Sequence, residues 1–154
     1  MYVFDSNILI DIFNYYYKEN FPTFWEHFEQ AIEDKQLVSV REVFNEISSS
    51  NDELSEWAKS NKDFFLKPNE DEYIFLNEIF KIHHFQASIR QQQILRGMPV
   101  ADPFLIIKAK YLNATVVTKE KFKENGVNIP NICTHFNVKY LNLKGFLEEV
   151  KWKS

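Results

Sequence analysis

Residues 2–13 read Tyr2-Val3-Phe4-Asp5-Ser6-Asn7-Ile8-Leu9-Ile10-Asp11-Ile12-Phe13, and their pattern changes period halfway. Tyr2-Val3-Phe4 is a β-prone run that ends at Asp5. Ser6 and Asn7 favour a helix start. The apolar side chains of Ile8, Leu9, Ile12 and Phe13 then recur at helical spacing. The stretch predicts a strand, a tight turn and a helix, with a carboxylate at the turn.

The same grammar extends along the chain. Pro22 stands near the start of a second helix whose stripe is Phe24, Trp25, Phe28, Ala31 and Ile32. Leu37–Val40 predicts a short strand that leads directly into a helix over Arg41–Ile47, with Val43, Phe44 and Ile47 on one face. The middle reads as helical and polar over Asp52–Ser60, Glu70–His83 and Gln86–Arg96, and 61–68 is a connector with a short extended piece at Phe64–Leu66. Ala101–Lys110 predicts a helix with Asp102 as its N-cap and Pro103 in its first turn. Ala114–Val117 and Val138–Leu141 read as strands, and Leu143–Val150 as a last helix. Strands separated by helices imply an α/β fold with a central parallel sheet and crossover connections. No internal repeat or linker divides it, so residues 1–154 are expected to form one domain. In such sheets ligands bind at the carboxyl ends of the strands.

Composition excludes several functions. The 154 residues carry 18 Lys+Arg against 22 Asp+Glu, a formal charge of −4, which argues against gripping nucleic acid by bulk charge. The imbalance is uneven: residues 1–82 hold 7 basic and 17 acidic groups, whereas residues 108–154 hold 9 and 4. A local basic rim (Lys108, Lys110, Lys119, Lys121, Lys123) is therefore compatible with the net value, against the plainer reading of ordinary surface lysines. Gly97, Gly126 and Gly145 are isolated, so phosphate-cradling glycine loops are absent. Cys133 is the only cysteine and reads as a small buried thiol; lacking a disulfide partner, it suits a reducing cytosol, and a cytoplasmic location is expected. No apolar run approaches the ~20 residues of a membrane helix, and the N-terminal stretch lacks the basic flank of a signal peptide.

Four acids stand near predicted strand or helix ends: Asp5 after the first strand, Glu46 on the helix after the second, Asp102 at the head of the helix before the third, and Glu120 shortly after the third. Each alone has an ordinary structural reading. Asp5 and Asp102 are suitable helix caps, Glu46 can be a solvated helix residue that Glu42 replaces one turn earlier, and Glu120 can begin a charged helix. Together they can converge on one sheet edge. Clustered carboxylates repel one another unless a cation neutralises them, and hard oxygen donors suit Mg²⁺ or Mn²⁺. Such ions activate water and stabilise the leaving oxygen in phosphodiester cleavage. His27, His83, His84 and His135 match no zinc spacing, and no second cysteine joins them. Arg90-Gln91-Gln92-Gln93 and Arg96 read as a solvated helix face, and Tyr15-Tyr16-Tyr17 as packing or interface residues rather than base-stacking ones. A phosphotransfer receiver domain fits poorly, because Ser6-Asn7 follow Asp5 and Arg41 follows the second strand.

These residues carry a family resemblance. Met1–Ile10 resembles the opening strand and Asp-Ser-Asn turn of PIN-domain proteins, Val43-Phe44-Asn45-Glu46-Ile47 their second acidic helix, Ala101-Asp102-Pro103-Phe104 the third acidic motif, and Thr118-Lys119-Glu120 the fourth. Ile129–Cys133 and Phe136-Asn137-Val138 resemble a bacterial and archaeal PIN-like family catalogued as a domain of unknown function, the DUF4411 group. The likeness spans nearly the whole chain. It implies a three-layer α/β/α nuclease in which Asp5, Glu46, Asp102 and Glu120 bind Mg²⁺ or Mn²⁺ and are catalytic, with Asn7 and Thr118 in support. It also implies endoribonuclease action on single-stranded RNA, the toxin role in a type II toxin–antitoxin pair, a cognate antitoxin as partner, and often a homodimer. The alternative within the resemblance is a PIN-fold binding module without catalysis, which the presence of all four acids argues against. Glu120 stands where many PIN proteins have Asp, and its extra methylene shifts one metal site or leaves water between ion and carboxylate.

Overall fold

The computed structural model describes residues 1–82, 85 and 102–152. Strand β1 (Tyr2–Phe4) lies at the centre of a five-stranded sheet. Its neighbours are β2 (Leu37–Val40) and β4 (Thr115–Val117), and the edges are β3 (Phe65–Leu66) and β5 (Tyr140–Leu141), in the order β3-β2-β1-β4-β5. Every pairing is parallel, with Val3 opposite Val38 on one side and Val116 on the other. The expected α/β class with a central parallel sheet is the observed one.

Parallel strands need crossovers, and helices supply them. They are α1 (Ser6–Tyr15), α2 (Pro22–Glu33), α3 (Arg41–Ile47), α4 (Glu53–Ser60), α5 (Glu70–Phe80), α6 (Asp102–Leu112), α7 (Ile129–His135) and α8 (Leu143–Val150). All four residues of β2 and all three of β4 are buried, because helices cover both faces and no polar alternation survives. Tyr2 and Phe4 point to one face. There the Phe4 ring lies 6.4 Å from Phe28 of α2 and 5.1 Å from Phe146 of α8. Helix α6 packs along β1, β2 and β4 and buries Leu105, Ile106 and Ile107. The high phenylalanine content is mostly core: Phe4, Phe28, Phe65 and Phe146 are fully buried. Ser39, also fully buried, donates from Oγ to the Phe4 carbonyl at 2.6 Å and so ties β2 to the end of β1.

Three local expectations need correction. The strand expected over 138–141 shortens to Tyr140–Leu141, because Val138 N–H is already committed to the Cys133 carbonyl at 2.8 Å beyond the end of α7. Helix α7 has no counterpart in the sequence pattern: five consecutive residues from Ile129 to Cys133 are buried, so no polar face marks its period. Helix α6 includes Asp102 as its first residue instead of following it as a cap. The helix expected over Gln86–Arg96, its Arg90–Gln93 tract, and His83 and His84 lie outside the described residues.

An ion pair sits in the packing of α5 against α6. Lys108 and Glu72 are 5% and 3% exposed, and Lys108 Nζ lies 2.7 Å from Glu72 Oε1 while donating to the Lys67 carbonyl at 3.0 Å. Glu72 also closes a capping box with Asn69 at the start of α5. Glu42 of α3 feels both charges. Burial raises its proton affinity most, the Glu72 charge raises it further, and Lys108 and Arg41 lower it. Among the described residues no helix is long and apolar enough to cross a membrane.

Candidate active site

Parallel pairing puts the carboxyl ends of β1 and β4 side by side, so Asp5 and Thr118 meet directly after them. The Asp5 N–H donates to the Val117 carbonyl at 3.0 Å, which extends the ladder by one step. Asp5 Oδ2 accepts from Thr118 Oγ1 at 2.8 Å, and Oδ1 accepts from the Ser6 N–H at 2.7 Å. Asp5 is the N-cap of α1, yet capping uses only one of its oxygens. The other is held by a residue 113 positions away, which a simple cap does not need.

Asp5 is 3% exposed and Thr118 1% exposed. Burial pushes the Asp5 carboxyl above the ordinary carboxylate range, while hydrogen bonds from Thr118, Ser6 and Asn7 pull it partly back. Among the described residues, hydrogen bonds and not charged side chains oppose the burial. A buried carboxylate that hydrogen bonds alone stabilise is electrostatically costly. Replacing Thr118 by valine is expected to remove the buried hydrogen bond, to cost ~1–3 kcal/mol of stability, and to raise the Asp5 carboxyl further; thermal melts and a carboxyl-region NMR titration measure both.

Thr118 relays the arrangement onward. Its Oγ1 accepts from the Glu120 N–H at 3.2 Å, and Glu120 Oε1 accepts from the Ile129 N–H of α7 at 3.4 Å. Asn7 Oδ1 accepts from the Lys119 N–H at 3.0 Å, and Lys119 Nζ lies 3.3 Å from Asp11 Oδ2. The turn after β1 and the turn after β4 are thus sewn together through Asp5, Asn7, Thr118 and Glu120. No helix begins at Glu120; residues 119–128 form a loop.

Glu46 and Asp102 are positioned by the helices next to β2 and β4, whereas Asp5 is held by hydrogen bonds from Ser6 and Thr118. Helix α3 starts at Arg41 immediately after Val40 ends β2, which sets Glu46 in its second turn beyond the carboxyl end of that strand. Helix α6 ends at Leu112, three residues before β4 begins. Its length of ~16 Å at 1.5 Å per residue then returns Asp102 towards the carboxyl edge. Both residues are half-buried. Among the described residues, no three of His, Cys, Asp and Glu stand close enough together to hold one ion jointly. The donor set nevertheless fits a hard divalent cation. Mg²⁺ is usually held by one or two carboxylates with water and substrate phosphates completing its shell, and Asp5 is a buried carboxylate held among the described residues by hydrogen bonds alone.

A model of the family described as "Domain of unknown function (DUF4411)" matches residues 2–154. The chain belongs to the DUF4411 family. No curated protein matches it. Among solved structures it is similar to a chain in the crystal structure of VapBC2 from Rickettsia felis bound to a DNA fragment from their promoter, with a TM-score of 0.48 and 16% identity, over 92% of this chain and 97% of that one.

The basic rim of this DUF4411 chain is smaller than its sequence suggests. Lys108 is buried against Glu72 and cannot meet a phosphate, and Lys110 Nζ is engaged with the Phe136 carbonyl at 3.1 Å. The exposed lysines around Glu120 are Lys119, Lys121 and Lys123. Cys133 is fully buried, and burial together with the Glu120 charge pushes its thiol up to about 12, which leaves it inert as a nucleophile. Tyr16 packs on Phe21 and Phe24, whereas Tyr15 and Tyr17 are exposed. Sequence reasoning missed one contact of Asp5 and one buried charge group in the packing of α5 on α6. Ser6 gives Asp5 its N–H bond, a role any residue with an N–H can fill, so no side-chain signal marked it. The Glu42–Glu72–Lys108 group left one trace, a lysine inside the apolar run Leu105–Ala109.

Proposed function

We propose that this protein is a Mg²⁺- or Mn²⁺-dependent endoribonuclease that cleaves phosphodiester bonds of single-stranded RNA, and that it acts as the toxin of a toxin–antitoxin pair. The observation that supports the reading best is the buried Asp5 carboxylate at the end of the central strand, fixed by Thr118 and linked through it to Glu120. The four acids in PIN-like order support it as well.

In this reading Asp5 would hold the principal ion, with Asp102 and Glu46 acting on it through its bound waters, and Glu120 would help orient water or a second ion. A bound Mg²⁺ or Mn²⁺ supplies Lewis acidity towards the phosphate and an acidified water. The chain's own work is positional. Thr118 fixes one oxygen of Asp5 and Ser6 the other, so the carboxylate is ordered before any ligand arrives and loses little on binding. Asn7 pins the Lys119 backbone and thereby sets where Glu120 begins. The toxin role calls for a cognate antitoxin that binds the protein, with homodimerisation as a further element.

The test pairs two readouts. The purified chain is expected to cut single-stranded RNA with Mn²⁺ or Mg²⁺ and to stop with EDTA, and Mn²⁺ is expected to raise the melting temperature near neutral pH, because a ligand bound only to the folded state stabilises it. A chain that neither melts higher with Mn²⁺ nor cleaves would refute the proposal. Growth arrest on expression, relieved by the product of an adjacent small gene, tests the toxin role.

A further inference from the structure

The loop after Glu120 presents an aromatic ring where solvent would normally discourage one. Phe122 is 53% exposed between the exposed lysines 121 and 123. A single exposed apolar residue is ordinary on a protein surface, but this loop is braced on both sides of the ring. Asn131 of α7 grips the Lys123 backbone with both ends of its amide: Oδ1 accepts from the N–H at 3.2 Å and Nδ2 donates to the carbonyl at 2.6 Å. Asn128 Nδ2 donates to the Lys121 carbonyl at 3.1 Å. The turn closes with the Gly126 N–H on the Lys123 carbonyl at 2.7 Å, and a Cβ at Gly126 would stand 2.8 Å from that same oxygen. Asn125 supplies the left-handed residue of the turn, with φ 59°.

Beside the ring lies a cavity of about 390 Å³, lined by Phe85, Phe122, Asn125, Asn131, Thr134 and His135. Its size falls in the ~300–1,000 Å³ range of ligand sites. Its walls combine aromatic faces with amide and hydroxyl groups, and the exposed Lys121 and Lys123 flank Phe122 along the loop. That combination suits a nucleobase stacked on an aromatic platform with flanking phosphates on lysines.

We infer that Phe122 is a stacking residue for single-stranded nucleic acid, one base seating on its ring and in the adjoining cavity, with Lys121 and Lys123 holding the neighbouring phosphates. The inference rests on the ribonuclease reading for its substrate class and adds to it how the strand is gripped two residues from Glu120. A braced ring loses little entropy on binding, which is why the Asn131 clamp belongs to the site.

The experiment measures equilibrium binding of a fluorescent 12-nucleotide RNA to the full chain in EDTA, so that binding is read apart from cleavage. Arms with the same sequence as single-stranded DNA and as duplex RNA identify what is recognised. Phe122→Ala is expected to weaken single-strand binding about tenfold, to leave duplex binding unchanged, and to melt as the wild type does; Phe122→Trp restores affinity. Replacing Lys121 and Lys123 by Gln is expected to flatten the salt dependence of binding by roughly 0.7 for each phosphate that the strand then leaves unneutralised. Phe122→Ala binding single strands within twofold of wild type overturns the inference, as does equal weakening on duplex, or a wild type that binds no single strand. A wild type that binds through Phe122 but never cleaves with Mn²⁺ refutes the hydrolase reading and leaves this one standing.

Discussion

Replacing Asp5 by asparagine is expected to lower metal-dependent RNA cleavage by about 1,000-fold or more, equivalent to ~4 kcal/mol of transition-state stabilisation. Asparagine keeps an oxygen for the Ser6 N–H and remains a competent N-cap, so the fold is expected to survive. The substituted amide would meet Thr118 Oγ1, which already accepts from the Glu120 N–H; rotation of the hydroxyl accommodates it. Stability gives a second, independent readout. Burial raises the Asp5 carboxyl above its unfolded value, so between those two values the folded state holds the proton more tightly than the unfolded one. The metal-free wild type therefore loses stability as pH rises through that window. Asp5→Asn removes this loss, and its melting temperature at pH 7 is expected to equal or exceed that of the metal-free wild type, with the Mn²⁺-induced rise abolished. Undiminished cleavage by a folded Asp5→Asn chain would sink the proposed mechanism. Asp102→Asn is expected to behave alike in activity.

The largest stability effect is expected at Lys108. Lys108→Met keeps the stem volume but leaves the Glu72 carboxylate buried without its cation and the Lys67 carbonyl without its donor. Breaking a buried pair by removing one partner costs ~3–5 kcal/mol, or about 10 °C in melting temperature for a chain of this size. Removing both charges with Lys108→Met and Glu72→Gln is expected to recover most of the loss, since the isolated carboxylate causes it. Chemical denaturation of the two single variants and the double one closes the cycle, and a double variant no more stable than Lys108→Met would refute the pairing. Glu42 belongs to the same balance, because Glu72 raises its proton affinity and Lys108 lowers it. In Lys108→Met the Glu42 carboxyl is therefore expected to titrate still higher.

Much of the architecture is legible in the chain because it depends on local periodicity. Tyr2–Phe4 and Ser6–Tyr15 change period at Asp5, Pro22 opens α2, and Leu37–Val40 runs straight into α3, so the strand–helix alternation and the parallel sheet follow from short windows. Helix α7 does not show itself, since a helix buried on nearly every side has no polar face to set its period. The strand before α8 reads too long, because the Val138 N–H has a partner in Cys133 that alternation alone does not reveal.

The four acids can be picked out from their places after strands and before helices, but their roles cannot. Asp5 looks like any N-cap until Thr118 reaches it from the adjacent strand. That hydrogen bond joins residues 113 apart in sequence, and only parallel pairing of β1 with β4 creates it. The same applies to the lysines. By sequence, Lys108 and Lys121 carry the same charge, and only the apolar run around Lys108 hints at burial. The packing of α5 on α6 buries the first against Glu72, whereas the loop clamped by Asn131 leaves the second in solvent beside Phe122. Sequence determined the elements and their order, because each is written in a few neighbouring side chains. Tertiary structure decided which carboxylate is buried on a hydrogen bond from a distant strand and which loop holds Phe122 exposed, because both depend on neighbours brought in from distant parts of the chain.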